Sequence, residues 1–228
     1  MTIDNESPKP ASTWEHPTGL RKPTSVLMVA LGPSKGDLLE ITTRHQPPAD
    51  VMECDEVWGI NGGVNHFGGR VAYDLLWVMD WIEQEARTEP RYGQYIKRHW
   101  NIHAAPIITS QATGEWENHP GVHEYPLQEV LQHVGNDNGY FHNSLPYILA
   151  YALYIGVKRF VLFGADYSHE RIKRREDDRA NAEYWVGYCR AKGMQVVVPA
   201  TTTLLNTDRG LWFYGYRDQP VSLVRGAA

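Results

Sequence analysis

The stretch "VALGPSKGDLL", residues 29–39, decides how the chain is read. An apolar run stops at a Gly-Pro-Ser turn, and a helical pattern starts directly after it. A strand hands over to a helix in this way, and the same turn can cradle a phosphate. Glycine admits a close approach, Ser34 offers a hydroxyl and an N–H, and the helix start carries partial positive charge. The turn matches neither GxGxxG nor GxxxxGK[ST], so a dinucleotide-binding or P-loop fingerprint is missing. By itself it reads equally well as a plain connection. Read as a phosphate site, it predicts that Gly32→Val abolishes nucleotide-dependent stabilisation and leaves the fold largely intact.

Working outward, short β-rich runs recur: "SVLMVALG" (25–32), "DEVWGIN" (55–61), "DLLWVMD" (74–80), "APIITS" (105–110), "RFVLFGAD" (159–166) and "MQVVVPA" (194–200). They are apolar throughout rather than alternating, as strands covered on both faces are. Between them, 81–100 is charged and helical with a break near Pro90, "SLPYILAYALYIG" (144–156) is strongly helical, and "DRANAEYWVGYCRAKG" ends in glycine where a helix C-cap belongs. The fold class expected is α/β: a single Rossmann-like, doubly wound, mostly parallel sheet of about six strands.

With 228 residues the chain fits one domain. Residues 1–24 are polar and Pro-rich and read as a disordered or extended N-terminal arm, 25–206 as the Rossmann-like nucleotide-binding domain, and 207–228 as a C-terminal aromatic extension, an edge hairpin or an oligomer contact. No apolar run approaches the roughly 20 residues of a membrane span, and the N-terminus lacks a signal-peptide core, so a cytoplasmic protein is expected. A net charge of −5 argues against a general polyanion binder, although "YIKRHW" (95–100) and "HERIKRRE" (169–176) are local basic clusters. Cys54 and Cys189 match no disulfide or zinc spacing.

Ligands of open α/β sheets bind beyond the carboxyl ends of the strands. The residues there are Gly32-Pro33-Ser34, Asn61-Gly62-Gly63, Asp80, Thr109-Ser110, Asp166-Tyr167-Ser168-His169 and Thr201-Thr202-Thr203. Metal ligands are not evident: His99 with His103 and His119 with His123 lack a third partner, no DxD pair ends a strand, and Asp177-Asp178 reads as a helix start. No metal is expected, and without a GxSxG elbow a Ser-His-Asp hydrolase is disfavoured.

Three segments in order resemble the bacterial lipooligosaccharide sialyltransferases and related Rossmann-like proteins, among them the archaeal pterin diphosphokinases. They are "VALGPS", "NSLPYILAYALYIGVKRFVLFGADY" (143–167) and "VVVPATTTLLN" (196–206), with "DEVWGINGG" standing where the family carries an Asn at the second strand end. Phage genomes carry proteins with this arrangement, for which the host cytoplasm would be the compartment. The resemblance implies an inverting, metal-independent glycosyltransferase that needs no cofactor beyond its nucleotide-activated sugar donor. Gly32, Pro33 and Ser34 would then contact donor phosphate or ribose, with Asn61, Gly62 and Asp80 beside phosphate and sugar. Asn143 and Ser144 would bind the nucleoside, with Thr201 on the last strand end. Tyr167, after Asp166, would stabilise the leaving phosphate. Asp80 departs from the family's Asn, and a carboxylate there repels phosphate unless it is protonated or metal-bridged. His169 is the expected general base, and the positive potential of Arg171, Lys173, Arg174 and Arg175 favours its neutral form. The acceptor is a glycan or a modified DNA base, and the latter would have to be flipped out of the duplex. The alternatives are ATP-dependent pyrophosphoryl transfer of the diphosphokinase kind, in which Asp80 would hold Mg²⁺, and a nucleotide-binding protein without chemistry.

Overall fold

The structure, a computed structural model, describes residues 15–18, 22–36, 38, 53–62, 71–80, 105–135, 139–167, 173–199 and 202–205. Seven strands form one sheet: β1 (Ser25–Val29), β2 (Glu56–Ile60), β3 (Leu75–Val78), β4 (Ile107–Thr109), β5 (Val122–Glu124), β6 (Arg159–Phe163) and β7 (Gln195–Val197). Their order is β5-β4-β3-β2-β1-β6-β7, and every pairing is parallel. The six apolar runs contain β1 to β4, β6 and β7. The seventh strand, β5, is only "VHE", partly exposed at the sheet edge between a Pro-Gly turn and Tyr125-Pro126, so it carries no apolar run.

Helices that position the site are α1 (Leu127–Val134), α2 (Ser144–Ile155) and α3 (Lys173–Ala191). Alternation along the strands divides the core in two. Val26, Met28, Trp58, Trp77, Phe160 and Leu162 point to the side covered by α1, α2 and α3, whereas Leu27, Val29, Leu76, Val78, Val161 and Phe163 join Leu38 and Trp116 on the other. Apolar residues on both sides of the inner strands β1, β3, β4 and β6 are therefore buried, which is why these runs do not alternate. Helix α2 is apolar nearly all round, with Leu145, Ile148, Leu149, Tyr151, Ala152 and Ile155 buried, because it lies between the sheet and its neighbouring helices. It stops at Gly156, whose φ of 93° lets its N–H return to the carbonyls of Ala152 and Leu153.

Part of the segment read as an N-terminal arm docks into this core. His16 is buried, with Nδ1 2.7 Å from the Tyr151 hydroxyl and Nε2 2.9 Å from Oε2 of the buried Glu56. Thr18 Oγ1 and Trp58 Nε1 also donate to Glu56, at 2.8 and 2.7 Å. Burial pushes the Glu56 carboxyl up, but the hydrogen bonds from His16 and Trp58 outweigh it and hold the group below its ordinary value. A depressed carboxyl pKa stabilises the fold fully above the unfolded value of about 4.3, and that contribution is lost as the pH falls through the lower folded value. Glu56→Gln is expected to cost about 1–3 kcal/mol at neutral pH, since an amide accepts these bonds less strongly and leaves a donor of its own to satisfy. The variant should also flatten the acid limb of the melting temperature against pH. An acid limb identical to the wild type would assign that pH dependence to other groups.

Candidate functional site

Strand order reverses between β1 and β6, and the carboxyl ends of these two strands touch. Ala30 N–H donates to the Phe163 carbonyl at 2.8 Å and Gly32 N–H to the Gly164 carbonyl at 2.6 Å. Both glycines are required. A Cβ on Gly32 would lie 2.5 Å from Asp166 Oδ2 and 2.6 Å from the Gly164 oxygen, while Gly164 has φ 76° and its Cβ would lie 2.3 Å from the Ala30 oxygen. The expectation that Gly32→Val spares the fold is therefore corrected: the turn has no room for a side chain.

The serine of the Gly-Pro-Ser turn is buried and faces inward. Its N–H donates to Asp166 Oδ2 at 2.7 Å, and its hydroxyl accepts from Gly164 N–H at 3.0 Å. Asp166 thus places a carboxylate at the start of the helical residues that begin at Lys35, where an anion is favoured. The two groups of Ser34 proposed for a phosphate are already engaged with the end of β6. Ser34→Ala should cost about 1–3 kcal/mol, read from chemical denaturation, because it leaves the Gly164 N–H buried without its acceptor. A loss near zero would mean that another group satisfies that N–H.

In front of this junction lies a cleft of about 170 Å³. Its floor is Met28, Ala30 and Ile60, and its walls carry Leu31, Gly32, Asn61, Asn143, Ser144, Asp166 and Tyr167. Asn61 follows β2 with φ 46°, a left-handed conformation that Asn tolerates better than most residues. Its Nδ2 donates to Asp80 Oδ2 at 3.2 Å, whereas its Oδ1 is buried without a hydrogen-bond partner, an acceptor at the cleft. Asp80 is exposed and reaches the site through Asn61. Gly62 and Pro33 are beside the cleft in the chain and do not line it.

Asn143 is the N-cap of α2: Oδ1 accepts from Leu145 N–H at 3.2 Å and from the Tyr167 hydroxyl at 3.1 Å, and Nδ2 donates to the Asp178 carbonyl at 2.9 Å. The phenol of Tyr167 is thereby aimed at the mouth of α2, next to Ser144 at the first position of the helix. Thr203 and Thr202 were not singled out as site residues. Thr203 Oγ1 accepts from Tyr167 N–H at 3.2 Å and Thr202 Oγ1 donates to the Ala165 carbonyl at 2.9 Å, so they latch the end of β6. Their signal was the run of three threonines. Thr201 of that run, and His169, lie outside the described residues.

Asp177 and Asp178, read as a helix start, lie within α3, and Asp178 is buried. Among the described residues, no three His, Cys, Asp or Glu side chains gather to hold a metal, and no helix is long and apolar enough to cross a membrane. Cys54 and Cys189 form no disulfide with each other, and burial pushes the Cys189 thiol up to about 12.

No protein-family model matches the chain, and no curated protein matches it in sequence. Solved structures do match. The sialyltransferase CstII from Campylobacter jejuni, in complex with the substrate analogue CMP-3FNeuAc, aligns with a TM-score of 0.51 at 15% identity over 80% of this chain and 83% of that one. The fold is sialyltransferase-like. A variant of the alpha-2,3/8-sialyltransferase CstII aligns equally, with a TM-score of 0.51 at 14% identity over 80% of this chain and 84% of its own. The likeness in fold therefore extends over most of both chains.

Proposed function

We propose that the chain is a glycosyltransferase that takes a nucleotide-activated sugar in the cleft between β1 and β6. One observation carries this reading: at the strand-order reversal, the free Asn61 Oδ1, the first turn of α2 and the Tyr167 phenol converge on one crevice. Such crevices are where open α/β sheets bind their ligands. The likeness to a sialyltransferase solved with a CMP-sugar analogue supports a nucleotide sugar as the ligand class. A volume of about 170 Å³ is smaller than whole-ligand pockets, so the cleft takes the phosphate and ribose end of the donor.

The reaction is a single displacement with inversion. The acceptor hydroxyl gives its proton to the imidazole of His169 as its oxygen bonds to the anomeric carbon. The bond from that carbon to the phosphate oxygen breaks, and its electron pair leaves with the nucleotide. Tyr167 turns its hydroxyl from Asn143 to the developing charge on the phosphate, and Asn61 Oδ1 accepts from a hydroxyl of the sugar. The acceptor is a glycan or a modified nucleic acid. The step needs no divalent ion, because the strand ends lack a DxD pair and Tyr167 supplies the leaving-group stabilisation.

Thermal-shift screening against nucleoside phosphates and sugar nucleotides, followed by turnover with the hit, tests this reading. A ligand at 100 times its Kd should stabilise the fold by about 2.7 kcal/mol. Tyr167→Phe should lower kcat by about 10²-fold, the scale for one oxyanion donor, with little change in KM for the donor. Turnover should persist in excess EDTA. Activity abolished by EDTA and restored by Mg²⁺ would favour pyrophosphoryl transfer, and no ligand-induced shift with any nucleotide would remove the reading altogether.

A further inference from the structure

At the other end of the sheet, where the chain enters β6 and β7, the carboxyl ends of α1, α2 and α3 surround a cavity of about 340 Å³, against about 170 Å³ for the cleft. Its lining combines rings and cations. His133, Tyr154 and Tyr188 supply the rings and Lys158 and Lys192 the charges, and no Asp or Glu lines it. The Lys192 ammonium lies 5.3 Å from the Tyr188 ring centre, and that of Lys22 lies 5.8 Å from the Tyr154 ring centre. His133 packs edge-on to Tyr154 with ring centres 5.6 Å apart.

Lysines commonly complement helix carboxyl ends. Here several of the end carbonyls have other donors. Gly156 N–H serves Ala152 and Leu153, Gly193 N–H serves Arg190, and the Tyr188 hydroxyl donates to Val134. Among the described residues no carboxylate pairs with Lys22, Lys158 or Lys192. Two cations, Lys158 and Lys192, thus line one cavity, and a third, Lys22, lies over its Tyr154 ring, in a protein whose net charge is −5.

We infer that this cavity is a second ligand site, for a nucleoside phosphate whose ring packs on Tyr154 or Tyr188 and whose phosphate meets Lys158 and Lys192. Lysine ammonium groups bind phosphate as point charges, and aromatic faces stack on any nucleobase. The volume falls in the range of small-ligand pockets. Helix α2, 12 residues or about 18 Å long, separates this site from the cleft at its other end.

His133 reports on occupancy. Burial holds its imidazole below the ordinary histidine value, opposed by a backbone hydrogen bond at Leu153, and Lys192 and Lys22 push it further down. A phosphate beside those lysines offsets their charge, so His133 should titrate at higher pH.

CMP and AMP titrated into the full chain, followed by the His133 ring resonances and by calorimetry, test the site, with cytidine and inorganic phosphate as the two half-ligands. The expected result is a shifted His133 resonance that titrates at higher pH with either nucleotide, and affinities for each half-ligand at least about tenfold weaker, the equivalent of about 1.4 kcal/mol. Lys158→Glu with Lys192→Glu should keep the melting temperature measured without nucleotide and weaken this binding at least about tenfold. Nucleotide held only in the cleft would leave the His133 resonance unmoved, and that result would overturn the site. Equal affinity in the double variant would do the same, and phosphate binding as tightly as CMP would overturn the nucleoside.

Discussion

His169→Ala retains nucleotide binding and loses at least ~100-fold in turnover, the lower part of the range for removing a general base. The reasoning starts from chain position. Gly164 to Tyr167 form one wall of the cleft, and His169 is two residues beyond Tyr167 in the chain. Imidazole is the side chain best matched to accepting a proton near neutral pH. The carboxylate on this wall of the cleft, Asp166, is occupied: its Oδ2 accepts the Ser34 N–H at 2.7 Å and secures the turn after β1. In the proposed reaction that commitment makes Asp166 a positioning group, and the base is His169. Asp166→Asn should accordingly damage stability more than chemistry, because an amide rotated to keep the Ser34 bond loses the charge at the helix start. The measurement is turnover with donor and acceptor both saturating, together with the nucleotide-induced shift of the melting temperature. Near-normal turnover in His169→Ala would show that another residue is the base or that the transfer needs none.

Gly32→Val is expected to destabilise the fold by more than about 4 kcal/mol, beyond the range of ordinary substitutions and a large share of the about 5–15 kcal/mol that holds a domain together. The cause is steric and is located between β1 and β6. A Cβ at this position meets Asp166 Oδ2 at 2.5 Å and the Gly164 oxygen at 2.6 Å, and the second of these is backbone that cannot rotate away. Relief requires separating the two strand ends, which breaks the 2.6 Å bond from Gly32 N–H to Gly164 and the paired contacts of Ser34. Gly36→Ala is the matched control, with no atom within 4 Å of the added Cβ, and should change stability by no more than about 0.5 kcal/mol. Chemical denaturation of both variants decides the matter. A Gly32→Val protein as stable as the control would mean that the strand ends separate without cost.

Several features were legible in the order of residues alone. Apolar runs of strand length between helical stretches require a sheet covered on both faces, since such runs cannot face water on one side, and all six contain a strand. Asn143 before an apolar helical run, and Gly156 after it, mark the two ends of α2, because a cap bonds to backbone only two to four residues away. The strand ends as the place to look for a site followed from fold class.

Tertiary structure decided the rest, for reasons of sequence distance and of edge position. Strand β5 is three residues at a half-exposed edge, where pairing with β4 holds it and no apolar run announces it. The docking of His16 against Glu56 and Tyr151 joins residues 40 and 135 positions apart, and a polar arm gives no local sign that one imidazole will be buried. The same holds for the turn at 32–34. Its composition allowed a phosphate cradle, but its N–H and hydroxyl are spent on Asp166 and Gly164, more than a hundred residues away. Local patterns register hydrogen bonds and packing that close within a few residues. The pairing of β1 with β6, which creates the reversal and the cleft, forms only when the whole sheet assembles.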